Sequence, residues 1–220
     1  VRAEKPRIGA FTSADVPKIL GLRPDLVLGF SDLQADIAAE LIRAGIEVHI
    51  FNQRDVAGIL RMIRNLGVMI GCADQAGALA AGYEARIAAL REAARSCSPR
   101  VFVEEWDVPL ISGIGWVSEL VEIAGGRDVF PERAAEALAK DRILRPEEVP
   151  PRAPDVILAS WCGKKVVPAR IAARPGWDSI PAVRNGRIHE IKSPLILQPG
   201  PAALSDGLDA ILRALWPDHG

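Results

Sequence analysis

The segment "APDVILASWC", Ala153 to Cys162, decides the fold, because an earlier segment of the chain repeats its pattern. The earlier segment is "RPDLVLGFSD", Arg23 to Asp32. In both, Pro-Asp precedes a run of leucines and β-branched residues, and the run ends in small residues and an aromatic one. Short continuous apolar runs of this kind are typical of strands buried on both faces of a parallel sheet. The pattern therefore predicts one such strand in each copy.

Each copy continues in a way that extends it into an α/β unit. The first is followed by "SDLQADIAAELIRAG", which has apolar residues at helical spacing, and then by "IEVHIF", a predicted second strand. The second is followed by "VVPARIAARPGW" and "IPAVRNGRIHEI", where Asn185-Gly186 supplies a turn. Upstream of it, "RVFVEEW" predicts a strand and "GWVSELVEIAGG" a short helix. Two units of this kind favour two α/β lobes over one continuous sheet.

An Ala-rich segment without proline, Asp74 to Ser96, lies between the copies. Its apolar spacing predicts a single helix of about six turns. A helix holds two lobes at a fixed separation, which a Gly/Ser linker does not. We therefore assign residues 1–73 to an N-terminal lobe, 74–97 to a connecting helix and 98–220 to a C-terminal lobe. The alternative is an ordinary surface helix of one domain.

The composition argues against several classes of function. The chain has 220 residues, with 27 Lys and Arg against 28 Asp and Glu, and a formal net charge of −1. This balance lacks the broad basic field of a nucleic-acid-binding protein. No apolar run approaches the roughly 18–20 residues of a membrane-spanning helix. The three cysteines, Cys72, Cys97 and Cys162, show no metal-ligand spacing, so we expect neither a zinc site nor a disulfide framework.

Aromatic residues follow several of the predicted strands. Phe30 comes after "DLVLG", Trp106 after "VFVEE" and Trp161 after "DVILAS", while Trp116 begins a helix after "SGIG". In open α/β sheets, ligands bind beyond the carboxyl ends of the strands. Aromatic side chains at that position offer flat faces to an apolar or conjugated ligand. The alternative is that each of them closes the core of its lobe.

The sequence "SWCGKKV", Ser160 to Val166, is open to three interpretations. Cys162 as a nucleophile would need a nearby base, but His49 and His189 lie in predicted strands and His219 in the C-terminal tail. A phosphate-binding loop would need a glycine pattern that this segment lacks. In the third interpretation the segment is one wall of a ligand cleft. Lys164 and Lys165 would form its solvated rim, or Lys164 would contact an anionic group of the ligand.

Taken in order, the motifs resemble a known family. They are "KILGLRPDLVLGFSDLQADIAAEL", the long helix, "ISGIGWVSELVEIAGGRDVF", "PEEVPPRAPDVILASWCGKK", "RPGWDSIPAVRNGRIHEI" and "LQPGPAALSDGLDAI". The chain resembles the helical-backbone (class III) substrate-binding proteins of ABC importers, and most closely the cobalamin-binding branch. The resemblance implies two Rossmann-like lobes joined by one long rigid helix, with the ligand in a cleft between them and little closure on binding.

The resemblance also implies roles for individual residues. Two acids, Asp36 and Glu147, match the positions at which the family docks on arginines of the permease, one in each lobe. A solvated helix face is the alternative for both. The predicted ligand contacts are residues of the strand ends and of the segment "SPLILQPGP": Phe30, Trp106, Trp116, Trp161, Lys164, Ser193 and Gln198.

The resemblance implies a function without chemistry on the ligand. We expect a periplasmic or extracytoplasmic protein, monomeric when complete, that carries cobalamin or a related corrinoid to its permease. No catalytic residue, cofactor or bound metal is expected beyond the transported chelate. The alternatives are an iron-siderophore or haem carrier and, from another class, a Cys162-dependent hydrolase. Family members carry a further strand and helix before "PRIGAFTSADVPKIL", so we expect the first lobe to lack one βα unit.

Overall fold

The computed structural model describes residues 4–10, 12–93 and 97–217. The chain divides into two compact units between Gln53 and Arg54. We call residues up to Gln53 the first unit and residues from Arg54 onward the second unit. Each unit combines strands with helices, which confirms the predicted α/β class.

The first unit contains the predicted βαβ arrangement. Strand β3 (Val27–Phe30) leads through helix α2 (Ala35–Arg43) to strand β4 (Val48–Phe51), and the two strands pair in parallel from Val27 opposite Val48 to Phe30 opposite Phe51. Before them lie a short antiparallel pair, β1 (Gly9–Ala10) and β2 (Ser13–Ala14), and helix α1 (Val16–Gly21). Val16, Ile19 and Leu41 form the buried centre of this unit, because they project from α1 and α2 onto the sheet.

The second unit contains a five-stranded sheet. Its strands are β5 (Arg100–Asp107), β6 (Leu110–Ser112), β7 (Arg127–Asp128), β8 (Val156–Ala159) and β9 (Ile188–Glu190). The order runs β6-β5-β8-β9, and β7 also pairs with β5. Strand β6 is antiparallel to β5, while the other pairs are parallel. All four residues of β8 are buried, as the continuous apolar run "VILA" predicts.

Besides its short 3₁₀ turns, the remaining elements of the second unit are α-helices and one π-helical turn. They are α3 (Val56–Met69), α4 (Ala73–Glu92), α5 (Gly115–Ile123), α6 (Pro131–Ala134), α7 (Pro168–Ala172), α8 (Pro181–Arg184), α9 (Ser193–Ile196), a π-helical turn (Ala203–Gly207) and α10 (Leu208–Leu215). None of the helices in the described residues is long and apolar enough to cross a membrane.

The long helix α4 occupies most of the segment predicted for it, while residues 94–96 lie outside the described residues. Its buried positions are Ala80 and Ile87, whereas Leu79 is exposed. Helix α3 packs along α4, and both contact α5. The division into residues 1–73, 74–97 and 98–220 stays a prediction.

The core of the second unit is built around aromatic side chains. The Phe102 ring lies edge-on to Phe130 and to Trp177, with ring centroids 5.7 Å and 6.0 Å apart. Such edge-to-face pairs add to the stabilisation from burial of the rings. Trp161 belongs to this core, and Trp106 packs against it.

Candidate functional site

Three of the predicted ligand contacts lie together at the carboxyl ends of β5 and β8. The Lys164 ammonium is 5.4 Å from the centroid of the Trp106 ring and 5.0 Å from that of Trp161. A cation over two indole faces is attracted by the negative face of each ring. Lys164 is also held by Asp107, whose Oδ2 atom lies 2.6 Å from its Nζ atom. The loop after β8 and the end of β5 thus bring two indoles and one cation into a single cluster.

Asp107 keeps its charge beside Lys164. Burial alone would raise the pKa of the Asp107 carboxyl, but the Lys164 ammonium and two backbone N–H groups outweigh it. The pKa of Asp107 is therefore lowered, and the carboxylate is ionised when Lys164 is charged. Asp107 thereby fixes the Lys164 side chain, which is 40% exposed, over the two indoles.

The two indoles differ in exposure. Trp106 is half-buried, and its Nε1 atom donates to the carbonyl oxygen of Val108 at 2.8 Å. Val108 itself is 78% exposed at the tip of the β5–β6 hairpin. Trp161 is only 2% exposed, and its Nε1 atom donates to Glu104 at 3.1 Å. Trp106 therefore offers more free surface to a ligand, whereas Trp161 also belongs to the core.

A buried ion pair supports Trp161 from below. Glu104 is fully buried and accepts two hydrogen bonds from the Arg174 guanidinium, at 2.6 Å and 2.8 Å. Burial raises the pKa of the Glu104 carboxyl, and the Arg174 guanidinium and the Trp161 indole oppose that rise. A carboxylate this deep needs such partners, because an unpaired buried charge is strongly destabilising.

Three further predicted contacts lie elsewhere in the second unit. Trp116 is 2% exposed in the first turn of α5, and its Nε1 atom donates to the Ile196 carbonyl at 2.7 Å. Ser193 is half-buried at the start of α9, and Gln198 is exposed just beyond it. The Trp116 indole therefore anchors the segment that carries these two polar residues. Their contact with a ligand stays a prediction.

Phe30 and Asp36 belong to the first unit. Phe30 is half-buried at the end of β3, and its backbone N–H donates to Gln34 Oε1 at 2.8 Å. This bond turns the chain from the strand into the helical segment that follows. Asp36 is exposed in the first turn of α2, where a negative charge is favoured by the helix dipole.

Glu147 is exposed on a 3₁₀ turn, Pro146–Glu148. The next residue, Glu148, accepts from the backbone N–H of Arg145 at 2.7 Å and thereby fixes the turn. Within the described part of the chain, Glu147 forms no ion pair, whereas Glu148 pairs with Arg145 and Arg133. Glu147 is thus an exposed carboxylate, unpaired among the described residues, on a turn that Glu148 fixes.

Among the described residues, no base contacts Cys162, as its alternative role as a nucleophile would require. The thiol is exposed in the loop after β8, and no hydrogen bond reaches it from the described residues. The Nε2 atom of His189, in β9, is buried and has no hydrogen-bond partner there. His49 lies in β4, and His219 lies outside the described residues. Residues 4–10, 12–93 and 97–217 also contain no group of three His, Cys, Asp or Glu side chains that could hold a metal.

A separate cavity of about 170 Å³ lies inside the first unit. It is lined mainly by apolar side chains of its strands and helices, including Ile19, Leu41 and Ile50. None of the predicted ligand contacts lines this cavity.

Glu104, Asp107 and Arg174 were not predicted from the sequence. The first two belong to "EEWD", where charged residues follow an apolar run inside one strand. The change from apolar to charged residues within one strand was the available signal, because charged residues are rarely buried without a partner. Arg174 gave no signal, because its contact with Glu104 joins residues 70 positions apart.

Comparison with known proteins gives the family. The periplasmic binding protein family matches residues 1–195. The ABC transporter substrate-binding lipoprotein YvrC of Bacillus subtilis strain 168 is 24% identical over 217 residues, which cover 94% of this chain. The chain spans only 66% of the length of that relative.

Solved structures show the same fold. An ABC transporter substrate-binding protein of Listeria monocytogenes EGD-e has a TM-score of 0.81 at 21% identity, covering 98% of this chain and 86% of its own. The periplasmic heme-binding protein RhuT of Roseiflexus sp. RS-1 has 0.78 at 26%, covering 96% and 84%. The periplasmic vitamin B12 binding protein BtuF of Vibrio cholerae has 0.70 at 22%, covering 97% and 82%. The chain therefore belongs to the periplasmic binding protein family and has the fold of the class III substrate-binding proteins of ABC importers, as its motifs predicted.

Proposed function

We propose that the protein is the substrate-binding component of an ABC importer and that its ligand is a large metal chelate with a flat macrocycle. The observation that carries this proposal is the cluster of Trp106, Trp161 and Lys164 at the carboxyl ends of β5 and β8. Indole faces suit the apolar surface of a macrocycle, and a neighbouring cation suits a polar or anionic group at its edge.

The first candidate ligand is cobalamin or a related corrinoid, as the sequence motifs predict. Haem is the second candidate, and two observations favour it. The heme-binding protein RhuT is a relative at 26% identity. In addition, the Lys164 side chain is 40% exposed, and its ammonium could share its charge between Asp107 and a carboxylate of the ligand. An iron-siderophore is the third candidate. Its polar groups would also suit the Lys164 cation, but it need not present the flat macrocycle that the indole faces would contact.

We propose binding and release without a chemical step. Family membership supports this over hydrolysis by Cys162. An extracytoplasmic location is supported by the relative YvrC, which is described as a lipoprotein. The proposed partner is the permease, reached through the exposed acids Asp36 and Glu147. Such charges guide orientation and the rate of association more than they add affinity.

The test is a titration with cyanocobalamin and, separately, with haemin, followed by tryptophan fluorescence and calorimetry. One-to-one saturable binding of either chelate is expected. Trp106→Ala should weaken that binding by about tenfold or more, because a half-buried indole over the ligand is lost.

The matched control is Trp216→Ala. Trp216 is also half-buried, and its indole donates to one backbone carbonyl, that of Ala124, at 2.8 Å. Its removal should leave the affinity unchanged. Equal loss in the two variants would remove Trp106 from the site, and no binding of either chelate to the wild-type protein would refute the ligand class.

A further inference from the structure

A line of side-chain contacts starts at Trp161 and passes through the buried ion pair beneath it. The Trp161 indole donates to Glu104 Oε1, and Arg174 binds both oxygens of the same carboxylate. Glu104 therefore holds the indole and the guanidinium at once. Because the carboxylate is fully buried, water cannot replace either partner if one of them moves.

The line continues from Arg174 to the turn that carries Glu147. The Arg174 guanidinium carbon lies 4.5 Å from the centroid of the Trp177 ring. Trp177 is fully buried, and its Nε1 atom donates to the carbonyl oxygen of Pro146 at 3.1 Å. Pro146 is the residue before Glu147 in the 3₁₀ turn. Each step is thus a hydrogen bond, an ion pair or a cation–π contact made by a side chain, and the last step ends on the backbone carbonyl of Pro146.

Neighbouring contacts along this line share a partner, so a shift at one contact affects the next. A displacement of Trp161 takes a donor from Glu104, which shifts the balance of its bonds to Arg174. Arg174 is held on its other side by the face of Trp177, so a shift of the guanidinium reaches the indole that anchors Pro146. Packed interiors transmit such shifts because they contain little free space.

We propose that Glu104 and Arg174 are positioning residues that couple occupancy of the site formed by Trp106, Trp161 and Lys164 to the turn bearing Glu147, an inference that rests on the proposed function. Occupancy of the ligand site then changes how Glu147 is presented to the permease. By linkage, binding of the permease at Glu147 changes the affinity for the ligand by the same factor.

The chain supplies a matched control for the test. Glu105 is the next residue of β5 and is also bound by both terminal nitrogens of an arginine, Arg142, at 2.7 Å and 3.1 Å. Glu105 contacts neither Trp161 nor Arg174 in these bonds, so Glu105→Gln removes a comparable ion pair outside the line. Glu104→Gln removes the ion pair within it. Trp177→Phe keeps an aromatic ring but removes the N–H that anchors Pro146.

The measurement is hydrogen exchange at the backbone N–H groups of residues 145–149, which all but Pro146 carry, with and without saturating cyanocobalamin or haemin, whichever binds. In the wild-type protein and in Glu105→Gln, ligand should change this exchange about fivefold or more, although no residue of the segment is among the predicted ligand contacts. In Glu104→Gln and Trp177→Phe, the ligand effect should disappear while binding stays one-to-one. If Glu104→Gln does not fold, Trp177→Phe alone carries the comparison.

Two outcomes would overturn the coupling. One is a wild-type protein that binds the chelate with no change at residues 145–149. The other is an equal ligand effect in the wild type, Glu105→Gln and Trp177→Phe.

If neither chelate binds, the proposed function fails, and the ligand-free proteins decide the inference. Glu104→Gln should then raise exchange at residues 145–149 above the level in Glu105→Gln. Equal exchange in the two variants would refute the connection itself.

Discussion

At the scale of single residues, His189 makes stability depend on pH. Its Nε2 atom is buried without a hydrogen-bond partner among the described residues. Burial lowers the pKa of the imidazole, and the charge of Arg187 lowers it further. As pH falls below about 6.5, the unfolded chain takes up a proton at this residue while the folded protein does not. The contribution of His189 to the free energy of unfolding is therefore complete above that pH and decreases as pH falls from about 6.5 to the lower pKa of the folded state.

His189→Leu tests this dependence by removing the titrating group at a half-buried strand position. Urea unfolding of both proteins at pH 7.5 and pH 5.5 should show a smaller loss of stability on acidification in the variant. A loss of the same size in both proteins would mean that His189 is not responsible.

At the scale of elements, the packing of α3 on α4 depends on Gly67. A Cβ atom at this position would lie 2.1 Å from the Ala76 Cβ atom and 3.0 Å from the Cys72 carbonyl oxygen. Gly67→Ala should therefore separate the two helices and lower the free energy of unfolding by about 1–3 kcal/mol, measured by urea denaturation. Gly82→Ala, within α4, is the control, because a Cβ atom there meets nothing within 4 Å. It should raise stability by about 0.5–1 kcal/mol. A neutral Gly67→Ala would contradict the close approach.

The same scale shows what the sequence could predict. The Pro-Asp segments led to β3 and β8, because a continuous apolar run followed by a polarity change identifies a buried strand without tertiary information. Strands β6 and β7 were missed, since two or three residues are too few to show a period. In the candidate site, Trp106 and Trp161 were visible as aromatics at strand ends. Their contacts with Lys164 and Asp107 were not, because pairs such as Lys164–Asp107 join residues 57 positions apart.

At the scale of the whole molecule, Glu147 differs from neighbouring acids because those acids form ion pairs. Glu132 pairs with Arg152 at 2.6 Å, and Glu148 pairs with Arg145. Such pairs occupy acids that a positively charged partner would otherwise meet. Within the part of the chain that the structure describes, Glu147 has no such pair and stands on a turn anchored by Trp177. A net charge of −1 gives little overall attraction, so a single well-placed carboxylate can decide orientation.

Charge reversal at this position should separate binding from delivery. Glu147→Lys should leave the affinity for the chelate within about twofold, because it removes a surface charge and no ion pair among the described residues. Uptake of the chelate by cells that carry this variant as their only copy should fall about tenfold, since like charges then oppose docking on the permease. Glu136→Lys makes the same charge change at another exposed acid and should leave uptake near the wild-type rate. A parallel loss of uptake in both variants would trace the effect to net charge, and full uptake by Glu147→Lys would exclude Glu147 from docking.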